Sequence, residues 1–462
     1  MDSMGSTKGA HIEIIPRRSA LLAEQDNLLE VLVRVCAPLE SEHPERERPA
    51  MGIALVIDRS GSMGGAPLEA AKQCCEFVVQ RLRDDDSLAF VQFDNTVQVL
   101  RPAAKLSRSS GPGPAERDQI VQRIRSIESG GGTDLHGGWL AGATELAPRA
   151  EGAQLQRVIL LSDGQANTGE TRPAEIVRQC RALAEAGVTT STYGLGYHFN
   201  EALMVAMAEA GRGSHYYGAT AEDLFEPFNR ELDLLSSLWR QNVVLKVVPA
   251  PGVEVTMLNA HVPGDEVDSW RLPDIALGSE AWALLRLRVP RHGLNHPESL
   301  LRVVVSGRDI EQVRGESAQA MAALPVLPAA AYSVVAEDPE VVKRAAETEA
   351  GRLLLQCRNA ARANDWDVVD ALLADAKKRF TDHEWVSGVI ASMSRLAAQR
   401  QSASLMKDAL YSSMSLSRRL RSSVEADSLE KEGDIPSFLR RSMSSGTAEY
   451  IRQKLRDGDS ST

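Results

Sequence analysis

Asp58-Arg59-Ser60-Gly61-Ser62 ends the apolar run Gly52-Ile53-Ala54-Leu55-Val56-Ile57. The pentapeptide sets one carboxylate and two hydroxyls at the C-terminal tip of a predicted buried strand. Hard oxygen donors at that density suit a small divalent cation. Asp and Ser are also ordinary turn and helix-capping residues. Read alone, the segment is explained equally well as a cap for the helix that follows.

Two further strings supply the missing donors. Gly130-Gly131-Gly132-Thr133-Asp134-Leu135 is a glycine-rich loop before a predicted helix, where the backbone can come close to another loop and present the Thr133 hydroxyl. Leu160-Leu161-Ser162-Asp163-Gly164 ends a second apolar strand on Asp163, at the strand tip where open α/β sheets bind ligands. The combined set is Asp58, Ser60, Ser62, Thr133 and Asp163. Two carboxylates and three hydroxyls fill up to about five of the roughly six positions such a cation prefers. One position stays open for water or an incoming carboxylate. Few direct negative charges keep the cation electrophilic toward an acidic side chain on a partner.

The elements that must hold these loops alternate. Strands are expected at 52–57, 87–93, 96–100, 157–162, 188–195 and 213–217. Helices are expected at 67–83, 116–127, 136–147, 173–186, 200–210 and 221–240. Leu68, Ala71, Cys75, Val78, Val79 and Leu82 fall on one face of the first helix. Continuously apolar strands such as Val158-Ile159-Leu160-Leu161 imply a mostly parallel, Rossmann-like doubly wound α/β sheet covered on both faces. Gly187 and Gly211 are expected just past two helix ends.

Outside that block the period changes. Strands at 11–15 and 28–36, the second with alternating Val31, Val33 and Val35, precede it. Val243–Val248, Val253–Leu258, Ala281–Val289 and Leu300–Ser306 follow it as a small antiparallel β domain. Helices at 338–363, 366–379, 384–399 and 403–420 form a C-terminal helical bundle. The expected organisation is 1–47 as N-terminal strands belonging with the β domain, 48–241 as the α/β domain, 242–330 as a β-sandwich-like domain, 331–420 as the bundle, and 421–462 as a Ser-rich, partly flexible tail.

Composition narrows the classes. The chain has 462 residues, 43% hydrophobic and 25% charged, which is a globular profile. A net charge of −11 argues against nucleic-acid binding, which requires a basic face. No apolar stretch reaches the ~18 residues of a membrane span. The first ten residues hold no apolar signal core, and the five scattered cysteines make no Cys-x-x-Cys, so a reducing cytoplasm is the expected location. Nine histidines show no His-Glu-x-x-His, and His292 and His296 sit between Pro290 and Pro297, which argues against zinc. Asp84-Asp85-Asp86 reads as a solvated turn, Asp134 as a helix cap or a support for the cation site, and Asn167 as an Asx turn. There is no nucleophile elbow and no phosphate loop.

Asp58-x-Ser60-x-Ser62, Thr133 and Asp163-Gly164, in that order, resemble the metal-ion-dependent adhesion site (MIDAS) of the von Willebrand factor type A (vWA) family. The Gly-Gly-Gly-Thr-Asp and Leu-Ser-Asp-Gly strings match in wording as well as spacing, over about 50–240. The resemblance implies a Rossmann-like fold, all five residues as ligands of Mg2+ or Mn2+, and a bridge from that ion to an Asp or Glu carboxylate of a partner protein. β-strands beside such a domain resemble inter-alpha-trypsin inhibitor heavy chains and bacterial single-chain homologues. The added helical region is similar to plant ubiquitin ligases and bacterial relatives, but the Cys/His cluster of a RING finger is missing. The expected function is therefore a non-enzymatic, metal-dependent protein-binding module. A regulatory or adaptor subunit of an AAA+ ATPase or kinase/phosphatase system is the alternative. A metal-dependent hydrolase would need a general base beside the cation, and no His or Lys near the motif is dedicated to that role.

Overall fold

A computed structural model describes residues 11–39, 48–106, 116–147, 155–195, 200–218, 221–291, 299–309, 315–418 and 421–422. The expectations placed on His292, His296 and the tail beyond 422 lie outside the described residues. The chain divides into two compact units, one within Glu47–Ser236 and one within Met1–Arg46 and Ser237–Asp434.

In the first unit, six strands form one sheet in the order Val97–Lys105, Ser87–Phe93, Met51–Asp58, Leu155–Ser162, Val188–Leu195, Arg212–Gly218. Every pairing is parallel except the edge pair Ser87–Phe93 with Val97–Lys105. All eight residues of each of Met51–Asp58, Leu155–Ser162 and Val188–Leu195 are buried, which explains the apolar runs Gly52–Ile57 and Val158–Leu161, while Val188–Leu195 buries Thr189, Thr190, Ser191 and Thr192 as well. Helix Leu135–Leu146 lays Leu135, Trp139 and Ala143 against Ala54, Val56, Phe93 and Val158. It comes so close that a Cβ on Gly142 would meet Val56 Cγ2 at 2.4 Å. Helix Ala66–Arg81 buries Leu68, Ala71, Cys75, Val78 and Val79, the face expected from their spacing.

The chain leaves Met51–Asp58 toward Ser87–Phe93 on one side and later returns to Leu155–Ser162 on the other. The crevice at such a reversal opens at the carboxyl ends of the strands. Asp58 and Asp163 stand at that point.

Beneath the sheet's apolar layer lies a buried ion pair. Arg157 Nη1 donates to Glu231 Oε1 at 2.8 Å, with side chains 2% and 0% exposed. Ser191 Oγ donates to the same oxygen at 2.6 Å and Tyr216 OH to Oε2 at 3.2 Å. Tyr193 stacks on Phe228 with ring centroids 3.8 Å apart. These contacts fasten helix Glu222–Ser236 to the sheet.

Four local readings need correction. The helix expected over 221–240 stops at Ser236, and Leu238–Pro249 is a strand, because Leu238 and Arg240 pair with Ala276 and Ile275. Gly187 takes the left-handed conformation (φ 94°), whereas Gly211 does not (φ −78°). A Cβ on Gly211 would meet Thr190 Cβ at 2.6 Å, so close approach to the next strand accounts for it. Asp86 is fully buried, not solvated: Arg48 grips it at 2.7 and 2.9 Å, and it accepts from Met51 N and Arg83 N. Leu32 is buried on the face of its strand where alternation placed solvent, since Val341 of helix Pro339–Arg362 covers it together with Trp282 and Leu284.

The second unit stacks two antiparallel sheets. One runs His11–Pro16, Asn27–Cys36, Ser279–Val289, Glu254–Met257, and the other Val262–Pro263, Ser269–Arg271, Leu238–Pro249, Leu301–Asp309, Gly315–Ala322. Asn27–Cys36 pairs with Ser279–Val289 from Asn27↔Val289 to Cys36↔Glu280. Val31, Val33, Leu245, Val247, Ala283, Leu285, Val303 and Val305 share its core. Gly315–Ala322 escaped the sequence reading because its Ala, Ser and Gln residues carry little strand preference. Helices Pro339–Arg362, Trp366–Arg379, Glu384–Ala398 and Ser402–Arg418 follow. Asp338, Asp365 and His383 cap the first three. Among the described residues no helix is long and apolar enough to cross a membrane.

Candidate metal centre

The three motif loops are sewn together by backbone hydrogen bonds at the carboxyl rim of the six-stranded sheet. Gly61 N donates to Gly131 O at 3.2 Å and Gly130 N to Arg59 O at 2.8 Å, joining the first loop to the glycine-rich loop. Asn167 N and Thr168 N both donate to Thr133 O at 3.1 Å, joining that loop to the third. Gly131 has φ 75°, and a Cβ there would sit 2.2 Å from Asn95 Oδ1. Glycine is required at this crossing on both counts.

The candidate donor residues sit on these joined loops with the following contacts. Asp58 accepts from Ser60 N at 2.8 Å through Oδ1 and from Ser162 Oγ at 2.5 Å through Oδ2. Ser60 Oγ and Ser62 Oγ are 3.2 Å apart. Asp163 Oδ1 accepts from Gln165 N at 3.2 Å. Asp58, Ser60, Thr133 and Asp163 are all buried, at 0%, 1%, 1% and 5% exposure. Ser62 is exposed and gives the set its opening to solvent.

Charge is the telling feature. Burial outweighs the hydrogen bonds from Ser162 and Ser60 that favour the charged form, and with a smaller push from the nearby Asp163 charge it leaves the Asp58 carboxyl raised to about 6. Neither Asp58 nor Asp163 forms an ion pair among the described residues. Arg59, the cation inside the motif, turns away to Asp94 Oδ2 at 2.5 Å and Glu128 O at 3.2 Å. Two buried, mutually repelling carboxylates edged by hydroxyls form a donor set that fits a hard divalent cation. Among the described residues no group of three or more His, Cys, Asp or Glu is placed to hold a metal ion.

Three supporting residues escaped the sequence reading. Ser162 both donates to Asp58 and accepts from Gly164 N at 2.8 Å, locking the first loop to the third. Its place in Leu-Ser-Asp-Gly was the available signal. Asn167 makes no Asx turn; its Oδ1 accepts from Thr133 N at 2.7 Å and from Thr168 Oγ1 at 3.1 Å, fixing Thr133. Asp94 receives Thr96 N and Oγ1 at 2.7 and 2.8 Å and accepts Asp134 N through its carbonyl at 2.6 Å. Asp134 itself caps helix Leu135–Leu146 through Gly137 N. Groups that orient ligands typically carry 10- to 100-fold in metal affinity. Asn167→Ala is therefore expected to weaken Mn2+ binding about 10-fold without unfolding the protein, read by calorimetry beside circular dichroism.

Comparison with known proteins bears on the domain that carries these loops. Residues 52–231 match the von Willebrand factor type A domain. An uncharacterised protein of Synechocystis is 24% identical over 51% of this chain and 54% of its own length. The uncharacterised Escherichia coli protein YfbK is 29% identical over 45% of this chain and 34% of its own length. The chain thus spans about half or less of these relatives. Among solved structures, a von Willebrand factor type A protein from Catenulispora acidiphila superimposes with a TM-score of 0.65 at 17% identity, covering 84% of this chain and 91% of that one. The shared fold therefore extends beyond the six-stranded sheet.

Proposed function

Because residues 52–231 are a von Willebrand factor type A domain, a protein-interaction module, we propose that this chain binds a partner protein through a divalent cation at Asp58, Ser60, Ser62, Thr133 and Asp163. Two buried carboxylates with no ion-pair partner among the described residues carry this reading. Mg2+ or Mn2+, when bound, supplies a positive centre that attracts an anionic oxygen. The protein's own residues do the rest. Asp58 and Asp163 provide charge, the three hydroxyls provide neutral oxygens, and Ser162 and Asn167 hold donors in register. The exposed Ser62 side leaves room for an Asp or Glu side chain from the partner.

Chelation tests the reading. Capture of binding proteins by the immobilised full chain should be lost in EDTA and with Asp58→Ala, while the protein stays folded by circular dichroism. An identical set of captured proteins in magnesium, in EDTA and with the variant would contradict it. Acid should act in the same direction as EDTA. With the Asp58 carboxyl raised to about 6, proton and cation compete for it, so cation affinity is expected to level off about one pH unit above that value and to fall below it. Titrations of Mn2+ between pH 5 and 8 read this directly.

A further inference from the structure

Beside the metal loops lies a cleft of about 460 Å³ whose lining includes Arg59, Gln92, Gln98, Val99, Arg123 and Glu128. That volume falls within the roughly 300–1,000 Å³ of sites that take small ligands. Its position follows from the chain. Arg59 stands between Asp58 and Ser60, and Glu128 precedes the glycine-rich loop, so one wall of the cleft is built from residues that flank the cation loops in sequence. The opposite wall is the sheet edge, where Gln92 pairs with Gln98 and Gln92 Nε2 donates to Gln98 Oε1 at 2.8 Å.

The polar groups facing the cleft are unevenly used. Arg59 is held by Asp94 and Glu128 O. Arg123 donates one N–H to Leu100 O at 2.9 Å and has no ion pair among the described residues. Val99 is 38% exposed and adds an apolar floor. Gln92 and Gln98 keep one acceptor oxygen and one amide group for a peptide backbone.

We propose that this cleft is the second half of the partner site, taking the stretch of partner chain next to the cation-bound acid and pairing a second carboxylate of that stretch with Arg123. The inference rests on the metal-dependent reading above and specifies the partner's chemistry. The partner segment is an extended peptide with one acid for the cation and one more a few residues away. Charge complementarity selects it: a guanidinium without a carboxylate partner favours an anion, and planar Arg–carboxylate pairing is strongly directional. The exposed Glu128 limits the match to a single added acid and disfavours a polyanionic run.

A random linear peptide display library, selected in magnesium on the immobilised full chain, provides the test. Wild type should enrich peptides with two spaced acids. Arg123→Glu should lower the affinity of those peptides about 10-fold or more, and Gln98→Glu, which removes no existing charge pair, should lower it in the same direction. Both variants should bind Mn2+ as wild type does. Enriched peptides that need magnesium but bind wild type and both variants equally would overturn the cleft and leave the metal reading standing. Peptides that bind equally in EDTA would overturn the metal reading and the cleft's coupling to it. If no peptide enriches, the cleft is not a peptide site.

Discussion

Glu231→Ala is expected to lower stability by about 3–5 kcal/mol, the usual consequence of removing one member of a buried ion pair. The Arg157 guanidinium would then lie in the protein core without the carboxylate that faces it. Ser191 Oγ and Tyr216 OH would lose their acceptor at the same time. The pair itself need not be stabilising. Replacing both residues, as in Arg157→Met with Glu231→Leu, removes both desolvation costs and is expected to recover most of the loss. Urea unfolding of the two variants beside wild type measures both effects. Equal destabilisation by the single and double variants would show that packing around helix Glu222–Ser236, not charge, sets the stability there.

Asp58→Asn should act in the opposite direction when no cation is bound. A carboxyl raised from 3.8 to about 6 favours its protonated form in the folded state. The metal-free protein therefore loses stability as pH rises from about 4 to about 6, and the loss is fully present at pH 7. The neutral amide keeps the shape and avoids that loss, so the variant should be more stable than metal-free wild type by about 1–3 kcal/mol at pH 7. Added Mg2+ should then raise the melting temperature of wild type and leave Asp58→Asn unmoved. Functional sites commonly retain such unfavourable groups. A variant less stable than metal-free wild type at pH 7 would show that Asp58 serves as a structural cap.

The six-stranded sheet was legible because burial on both faces leaves a simple trace. The runs Gly52–Ile57 and Val158–Leu161 are apolar and lead into polar turns, so strand ends and site residues announce each other. Helix Ala66–Arg81 was equally plain from its period. What could not be read is what depends on a partner distant in sequence. Leu32 looks solvent-facing until helix Pro339–Arg362 covers it, and Asp86 looks like surface until Arg48 closes on it. Asn167 has the chemistry of a turn residue, and only the folded loops reveal that its acceptor meets Thr133 N. Arg123 carries no motif at all; its interest comes from the cleft it borders.

Calorimetric titration of Mn2+ into the full chain at pH 7 tests the central claim most directly. Wild type is expected to bind a single ion at this site, with binding lost in Asp58→Asn and in Asp163→Ala. Wild type that binds no Mn2+, or variants that bind it as wild type does, would contradict the assignment of these five residues as a cation site.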